Sequence, residues 1–500
     1  MADRRTRARD LRHSAADSSY NRPHEDQVNN GEEVKHGPVA NFSKGLPHDA
    51  VGNVVPSAYA ALRKALSSGD PDDFEAIPLG TPGGRKFTSP QAGLAYDLEG
   101  PDAASLAMKP APRLDSAENS AEMGEVYWMA LLRDVPFRNY AGHPAVGPAV
   151  GDMNAFSDFR GPRDAGSVTA GTLFRGDSPG DLVGPYLSQF LVKDVQFGSL
   201  RYSQRQQTVA AGTDFLTTFP SWLNAQNGGP FVPEVLVAPR YIRNLRDLAH
   251  YVHVDALYEA YLNACLILLD LGAPFDPGNP YAGSKTQSGF ASWGGPHILS
   301  LVTEVATRAL KAVWHQKWYV HRRLRPEEFG GRIEAHLTGL HSYPMIDDEI
   351  LNSGAVAAIQ AAHGGSSLLP MAFPEGCPTH PAYGAGHATV AGACTTILKA
   401  WFDESWVIPN PQQPNTAGTA LTPYVGADAG AITVGGELNK VAANISIGRN
   451  GAGVHWRSDY AESVRLGEQI AIEVLREQKD TFNERSSLSI STFDGKGIDI

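Results

Sequence analysis

Apolar residues recur at three- and four-residue steps through much of the chain, and this spacing predicts helices. The strongest pattern runs from Arg240 to Leu271. It places Ile242, Leu245, Leu248, Ala249, Val252, Ala256, Leu257, Ala260 and Cys265 on one face, and Gly272 and Pro274 mark its end. Pro296 opens a second helix near its first turn, where its missing N–H is not needed. Ile298, Val302, Val305, Ala306, Ala309 and Val313 form the inner stripe of that helix. A third helix is expected to begin near Gly386 and run through Ile397 to Phe402, and a fourth from about His455 to Glu477. Shorter helical patterns cover Ser57 to Leu66 and Ser120 to Leu132. Strand alternation is scarce, and Ala431 to Val434 is the best short candidate. No internal repeat is visible. The pattern predicts an all-α (mainly α) fold: two four-helix bundles with long connecting loops and minor short strands.

The same pattern divides the chain. Residues 1–55 are polar, charged and rich in Asn, His and Gly, and read as an extended N-terminal arm. With few anchors of its own, the arm is expected to lie on another surface, such as a neighbouring subunit. Residues 56–290 form an N-terminal helical region. It includes a stretch dense in Gly, Pro and Asp, 141–190, a long loop of the kind that lines sites or interfaces. Residues 291–480 form a C-terminal helical region, and 481–500 a polar tail.

Composition narrows the function. A 42% hydrophobic and 19% charged chain of 500 residues has an ordinary globular balance and can bury a large core. A formal net charge of -12 argues against nucleic acid as a partner. Any anion site must therefore be made positive locally, against the overall field. Cys265, Cys377 and Cys394 have neither a disulfide framework nor zinc spacing, and are expected to be inert thiols. The basic N-terminus, MADRRTRARD, has no apolar stretch behind it and is not a secretory signal. The apolar run Ala264 to Leu271 is too short to span a bilayer. The expectation is a soluble, cytoplasmic protein with no membrane partner.

Three separated segments carry candidate chemistry. In the first, Lys317 lies one turn beyond Val313 on the inner face of its helix, and a lysine rarely faces a core unpaired. Pro326 pushes Arg325 out of helical geometry, to a helix end. In the second, Gly384 and Gly386 free the backbone before a helix N-terminus, a natural anion site, and His387 sits in its first turn. In the third, Arg449 offers a planar fork of donors, and His455 has Asp459 four residues on, where a carboxylate fixes a ring tautomer. Each segment alone is also consistent with a solvated helix end, a glycine-rich loop or a capping histidine. Together, one lysine, two arginines and two histidines are wrong for zinc, which wants a compact ligand set. They suit phosphate or an isostere of phosphate.

In their order these residues resemble the signature shared by vanadium-dependent haloperoxidases and acid phosphatases of the type-2 phosphatidic acid phosphatase superfamily. That signature is a lysine, an Arg-Pro pair, a Ser-Gly-His and an Arg followed six residues later by His. Lys317, Arg325-Pro326, Gly386-His387 and Arg449 with His455 match it. Residues Ala40 to His48, Asp255 to Asn263 and Lys317 to Arg322 resemble algal and cyanobacterial bromoperoxidases more closely.

The resemblance implies roles. His455 binds vanadium, while Lys317, Arg325, Arg449 and the Gly386 N–H hold the vanadate oxygens. His387 is the acid–base residue. His380 is a second active-site histidine beside Trp314 on the halide side. Asp255 orients Arg449. The implied reaction uses hydrogen peroxide to oxidise bromide or iodide to hypohalous acid, which halogenates small organic acceptors. The implied cofactor is vanadate, without haem, and the implied assembly is a homo-oligomer. The Phe275 to Ser288 loop, where some algal relatives bind calcium, holds a single carboxylate, Asp276, so calcium is not expected.

One position departs from the family: the signature serine is Ala385 here, which removes one hydroxyl donor. The alternative reading is an acid phosphatase with the same oxyanion cage. A non-catalytic oxyanion-binding protein is a third reading, favoured only by Ala385.

Overall fold

A computed structural model describes residues 3–500. Its centre is a bundle of four long helices, Gly295–His315, Gly386–Trp401, Val434–Gly451 and Arg457–Lys479. The Gly386–Trp401 helix is buried along nearly its whole length, as its small and apolar residues require. Shorter helices, Ala117–Leu131, Val146–Ala155, Asp348–Leu351 and Gly354–Ala362, pack together beside it. Most of the buried apolar residues form one continuous cluster that reaches from Ala40 to Ile500. The strands described form short antiparallel pairs at the periphery. The fold is thus mainly α, as expected. Among the described residues no single helix is long and apolar enough to cross a membrane.

Four local expectations need correction. The Arg240 to Leu271 pattern is two helices, Leu245–Val254 and Glu259–Asp270, bent by 101° at Asp255. Apolar periodicity continues across the break, so it hides the turn. Arg240 itself ends a short strand, Leu236–Arg240. The strand candidate Ala431 to Val434 is the entrance to the Val434–Gly451 helix. The Thr433 side chain caps that helix by accepting from the Gly436 N–H at 3.2 Å.

The other two corrections fall in the N-terminal arm. Arg4–Asn21 is helical rather than extended, with Asp3 as its N-cap and no buried residue. Residues 40–46 are anchored in this chain's own core: Ala40, Phe42 and Leu46 are buried, and Lys44 pairs with Glu327 at 2.7 Å.

The Gly295–His315 helix widens into a π turn, Gln316–His321. The extra residue per turn splits two neighbours. Trp318 enters a second apolar cluster with Phe42, Leu62 and Phe74, while Lys317 faces the bundle interior. Such π turns often sit at functional sites.

The bundle's tightest crossing brings Gly386–Trp401 against Arg457–Lys479. A Cβ on Gly392 would stand 2.0 Å from the Val464 carbonyl oxygen, and one on Gly467 would stand 2.0 Å from that of Thr389. Both clashes are with backbone, so the helices themselves must separate. Gly392→Ala is expected to cost about 1–3 kcal/mol and to lower the thermal midpoint followed by circular dichroism. An unchanged midpoint would show that the helices part without cost.

Candidate active site

Helix ends meet at the site. Arg325 caps Pro326–Leu337, and Gly386 is the first residue of its helix. Arg449 lies in the last turn of Val434–Gly451, and His455 sits just before Arg457–Lys479. The three N-termini, at Pro326, Gly386 and Arg457, bring free N–H groups and positive dipole ends, whereas Arg449 stands at a C-terminal, negative end.

The three candidate cations are buried: Lys317 and Arg325 completely, Arg449 to 7% exposure. Each is held by uncharged groups. Lys317 Nζ donates to the carbonyls of Pro381 and Ala382 at 2.9 and 3.1 Å. Arg325 donates to the carbonyls of His380 and Val454 at 2.7 Å each. Its Nη1 also stands 3.1 Å from His455 Nε2, and its Nη2 2.9 Å from His380 Nδ1. Arg449 Nη1 donates to the Val252 carbonyl at 2.7 Å, and its buried Nε has no partner. Burial, and then the field of Arg325, push Lys317 well below its ordinary value. The same two causes bring Arg449 down to about 10. An anion placed among them would reverse both effects.

The histidines divide by partner. His455 Nδ1 stands 2.7 Å from Asp459 Oδ2, which directs Nε2 toward Arg325. Burial and the neighbouring Arg325 and Lys317 hold His455 well below the usual histidine range. Burial raises Asp459 to about 6, against the pull of Arg323. His387 Nε2 stands 3.0 Å from Asp255 Oδ1. Its pKa is lowered by burial, with Asp255 opposing. His380 is also well below its ordinary value, through burial and the charges of Lys317 and Arg325. Its ring lies 5.0 Å from that of Trp314.

Lys317, Arg325, His380, Gly386, Arg449, His455 and Trp314 are therefore brought together, and Asp459 is on His455 as expected. Asp255 requires a correction: it does not hold Arg449 but faces His387, while the Val252 carbonyl takes Arg449. The bend at Asp255 creates this pairing by turning the chain from the Val252 carbonyl to a free carboxylate within three residues.

Sequence reasoning missed the support behind Asp459. Arg323 donates to Asp459 Oδ1 at 3.0 Å, to Glu122 at 2.8 Å and to Asn119 at 2.9 Å. The available signal was Asn119, Glu122 and Glu125, polar residues at three-residue spacing on an otherwise apolar helix. Phe373 was also missed; its ring lies 5.5 Å from the Arg449 guanidinium carbon. At Ala385, Ser463 Oγ accepts from the backbone N–H at 2.8 Å. No side chain caps this helix N-terminus.

Buried cations without carboxylate partners, set beside helix ends with paired histidines, form a cluster in a helical bundle whose charge suits an oxyanion. Residues 297–484 match the family model of the VCPO second helical-bundle domain. The chain is 40% identical to a vanadium-dependent bromoperoxidase of Corallina pilulifera, over 98% of this chain and 97% of that protein. A vanadium-dependent bromoperoxidase of Ascophyllum nodosum is 36% identical, over 94% of this chain and 88% of that protein. The homohexameric structure of the second vanadate-dependent bromoperoxidase from Ascophyllum nodosum matches with a TM-score of 0.94 at 32% identity. That match covers 100% of this chain and 92% of the other. The chain belongs to the vanadium-dependent bromoperoxidase family.

The His387–Asp255 pair can be tested directly. In a histidine NMR titration His387 is expected to titrate below the ordinary histidine value, because burial disfavours the charged ring. Asp255 is the group that raises its pKa, so Asp255→Asn is expected to move the titration to still lower pH. A shift to higher pH would overturn the pairing.

Proposed function

We propose that the chain is a vanadate-dependent bromoperoxidase. In this reading it uses hydrogen peroxide to oxidise bromide or iodide to hypohalous acid, which halogenates organic acceptors. The observation that carries the reading is the cluster of three buried cations around His455 with no carboxylate on any of them. The donor set fits vanadate: the cations and the helix N-terminus attract a tetrahedral oxyanion, and Arg449 Nε is a buried donor in need of an acceptor. When bound, vanadate supplies a V(V) Lewis acid that activates peroxide toward halide without changing oxidation state.

The chain's own residues do the rest. His455 offers Nε2 as the metal ligand, because Asp459 holds the proton on Nδ1. Arg323 fastens Asp459 in turn. Lys317, Arg325, Arg449 and the Gly386 N–H would hold the vanadate oxygens. Lys317, fixed by the Pro381 and Ala382 carbonyls, would supply the cation that polarises peroxide. His387 takes the peroxide proton. Its Nε2 is committed to Asp255, so Nδ1 is the ring nitrogen left to accept it, and the depressed pKa keeps that nitrogen free near neutral pH. His380 and Trp314 form the halide-side wall. His380 is neutral, so it admits the halide without trapping it as a salt. The substrates balance as peroxide, halide and one proton giving hypohalous acid and water.

The reading extends to assembly. The Arg4–Asn21 helix buries nothing within its own chain, and the Ascophyllum nodosum relative is a homohexamer. A homo-oligomer is the expected state in solution.

Monochlorodimedone bromination with and without orthovanadate tests the activity. Vanadate-loaded protein is expected to brominate, with bromide and iodide accepted and chloride poor. Cleavage of a phosphomonoester without bromination would favour the acid phosphatase reading. Arg449→Ala is expected to weaken orthovanadate binding roughly 10- to 100-fold, the worth of a charge-assisted hydrogen bond. Ala385→Ser restores a hydroxyl donor and is expected to tighten binding by about tenfold. Unchanged affinity in both variants would remove these positions from the cage.

A further inference from the structure

We propose that Glu234, His250 and His253 form a second site, separate from the anion cage, that binds one divalent transition-metal ion of the zinc class.

The two histidines lie three residues apart on the Leu245–Val254 helix, which puts both rings on one face. Glu234 approaches from the segment just before the Leu236–Arg240 strand. Its Oε1 stands 3.2 Å from His250 Nδ1 and 3.5 Å from His253 Nδ1. One ligand atom from each of the three residues can be chosen so that all lie within 4.8 Å of one another. Donors sharing one zinc ion at about 2.0–2.2 Å stand roughly 3.0–3.5 Å apart, and the two glutamate–histidine distances already match this.

A second observation points to a ligand. His250 Nδ1, His253 Nδ1 and Glu234 Oε2 are all buried and make no well-aligned hydrogen bond, although both ring nitrogens stand at ion-pair distance from Glu234 Oε1. Buried polar atoms that make no well-aligned hydrogen bond are rare, and here three belong to one cluster. A cation shared by the three residues would be a partner for both ring nitrogens and for the carboxylate. Two imidazoles and one carboxylate suit zinc, cobalt or nickel rather than calcium or magnesium, which take oxygen ligands.

The surroundings are those of a fixed ligand. His253 Nε2 stands 2.9 Å from Glu375 Oε1, the carboxylate–histidine arrangement that orients metal-bound imidazoles. The His253 ring also stacks on Phe373, with centroids 3.8 Å apart and planes 9° from parallel. Glu234 lines a surface groove with Phe215, Phe231 and Pro374, which opens its side of the cluster to solvent.

The position gives the ion a consequence. Val252, whose carbonyl holds Arg449, precedes His253, and Asp255, which holds His387, follows it. An ion here fastens the helix end that supports two cage residues without touching the cage.

Metal-stripped protein titrated with cobalt(II) and followed by visible absorption tests this, together with zinc equilibrium dialysis and elemental analysis. The expected result is one ion per chain, lost in the His250→Ala/His253→Ala double variant. Glu234→Gln is expected to weaken binding at least tenfold, and Glu375→Gln by about 10- to 100-fold with every ligand still in place. Circular dichroism checks that the variants fold; if the double variant does not, the two glutamine variants decide. The proposal is overturned if the natural chain holds no stoichiometric ion, or if the variants bind as well as it does. Either result would leave His253 as an ion-paired histidine between two carboxylates.

Discussion

Three positive charges buried together repel one another, and much of this structure serves to hold them in place. Lys317, Arg325 and Arg449 are anchored through backbone carbonyls of Pro381, Ala382, His380, Val454 and Val252. Carbonyl dipoles hold a cation without cancelling its charge. A carboxylate in any of these places would neutralise the site. The chain has no shortage of carboxylates, with a net charge of -12, yet none touches these three side chains. The acids nearest the site act one residue removed: Asp459 on His455, Asp255 on His387, and Glu328 on the Arg325 backbone N–H at 2.9 Å.

That separation explains the division of labour among the histidines. His455 and His387 each have a carboxylate on one nitrogen, which leaves the other ring nitrogen available for a ligand or a proton. His380 has no carboxylate partner; it faces the Arg325 guanidinium and stays uncharged. Three histidines within one positive field thus keep three different chemical characters. Their differences come from what stands behind each ring, since burial acts on all of them in the same direction.

The break at Asp255 is the structural device that makes the arrangement possible. A continuous helix would commit the Val252 carbonyl to an intrahelical hydrogen bond. Ending the helix frees that carbonyl for Arg449 and turns the Asp255 side chain to His387. Phe373 lies between two functions, facing the Arg449 guanidinium and stacking on the His253 ring. The helix that ends at Val254 is therefore tied to the cage at its last turn and to the Glu234–His250–His253 cluster on its outer face.

Local sequence was enough to locate most helices, because apolar spacing and capping residues act over a few positions. Pro296, Gly386 and Gly272 marked ends that the structure keeps to within a residue or two. The cage residues were also legible, since Lys317, Arg325, Gly386, Arg449 and His455 stand in a fixed order with unusual residue types beside helix ends. Three kinds of feature were not legible. Helical periodicity ran unbroken through Asp255, and the partner that its carboxylate takes at the break, His387, is 132 residues away. Residues 40–46 looked too polar to anchor, because the acid that neutralises Lys44 is Glu327, far along the chain. The Arg323–Glu122–Asp459 network joins two separate helices through an arginine in the connection before Pro326. By itself the sequence determined which groups are available and where the backbone turns helical. Only the tertiary structure decided which charge meets which, because those pairings are set by distances in space that spacing along the chain does not encode.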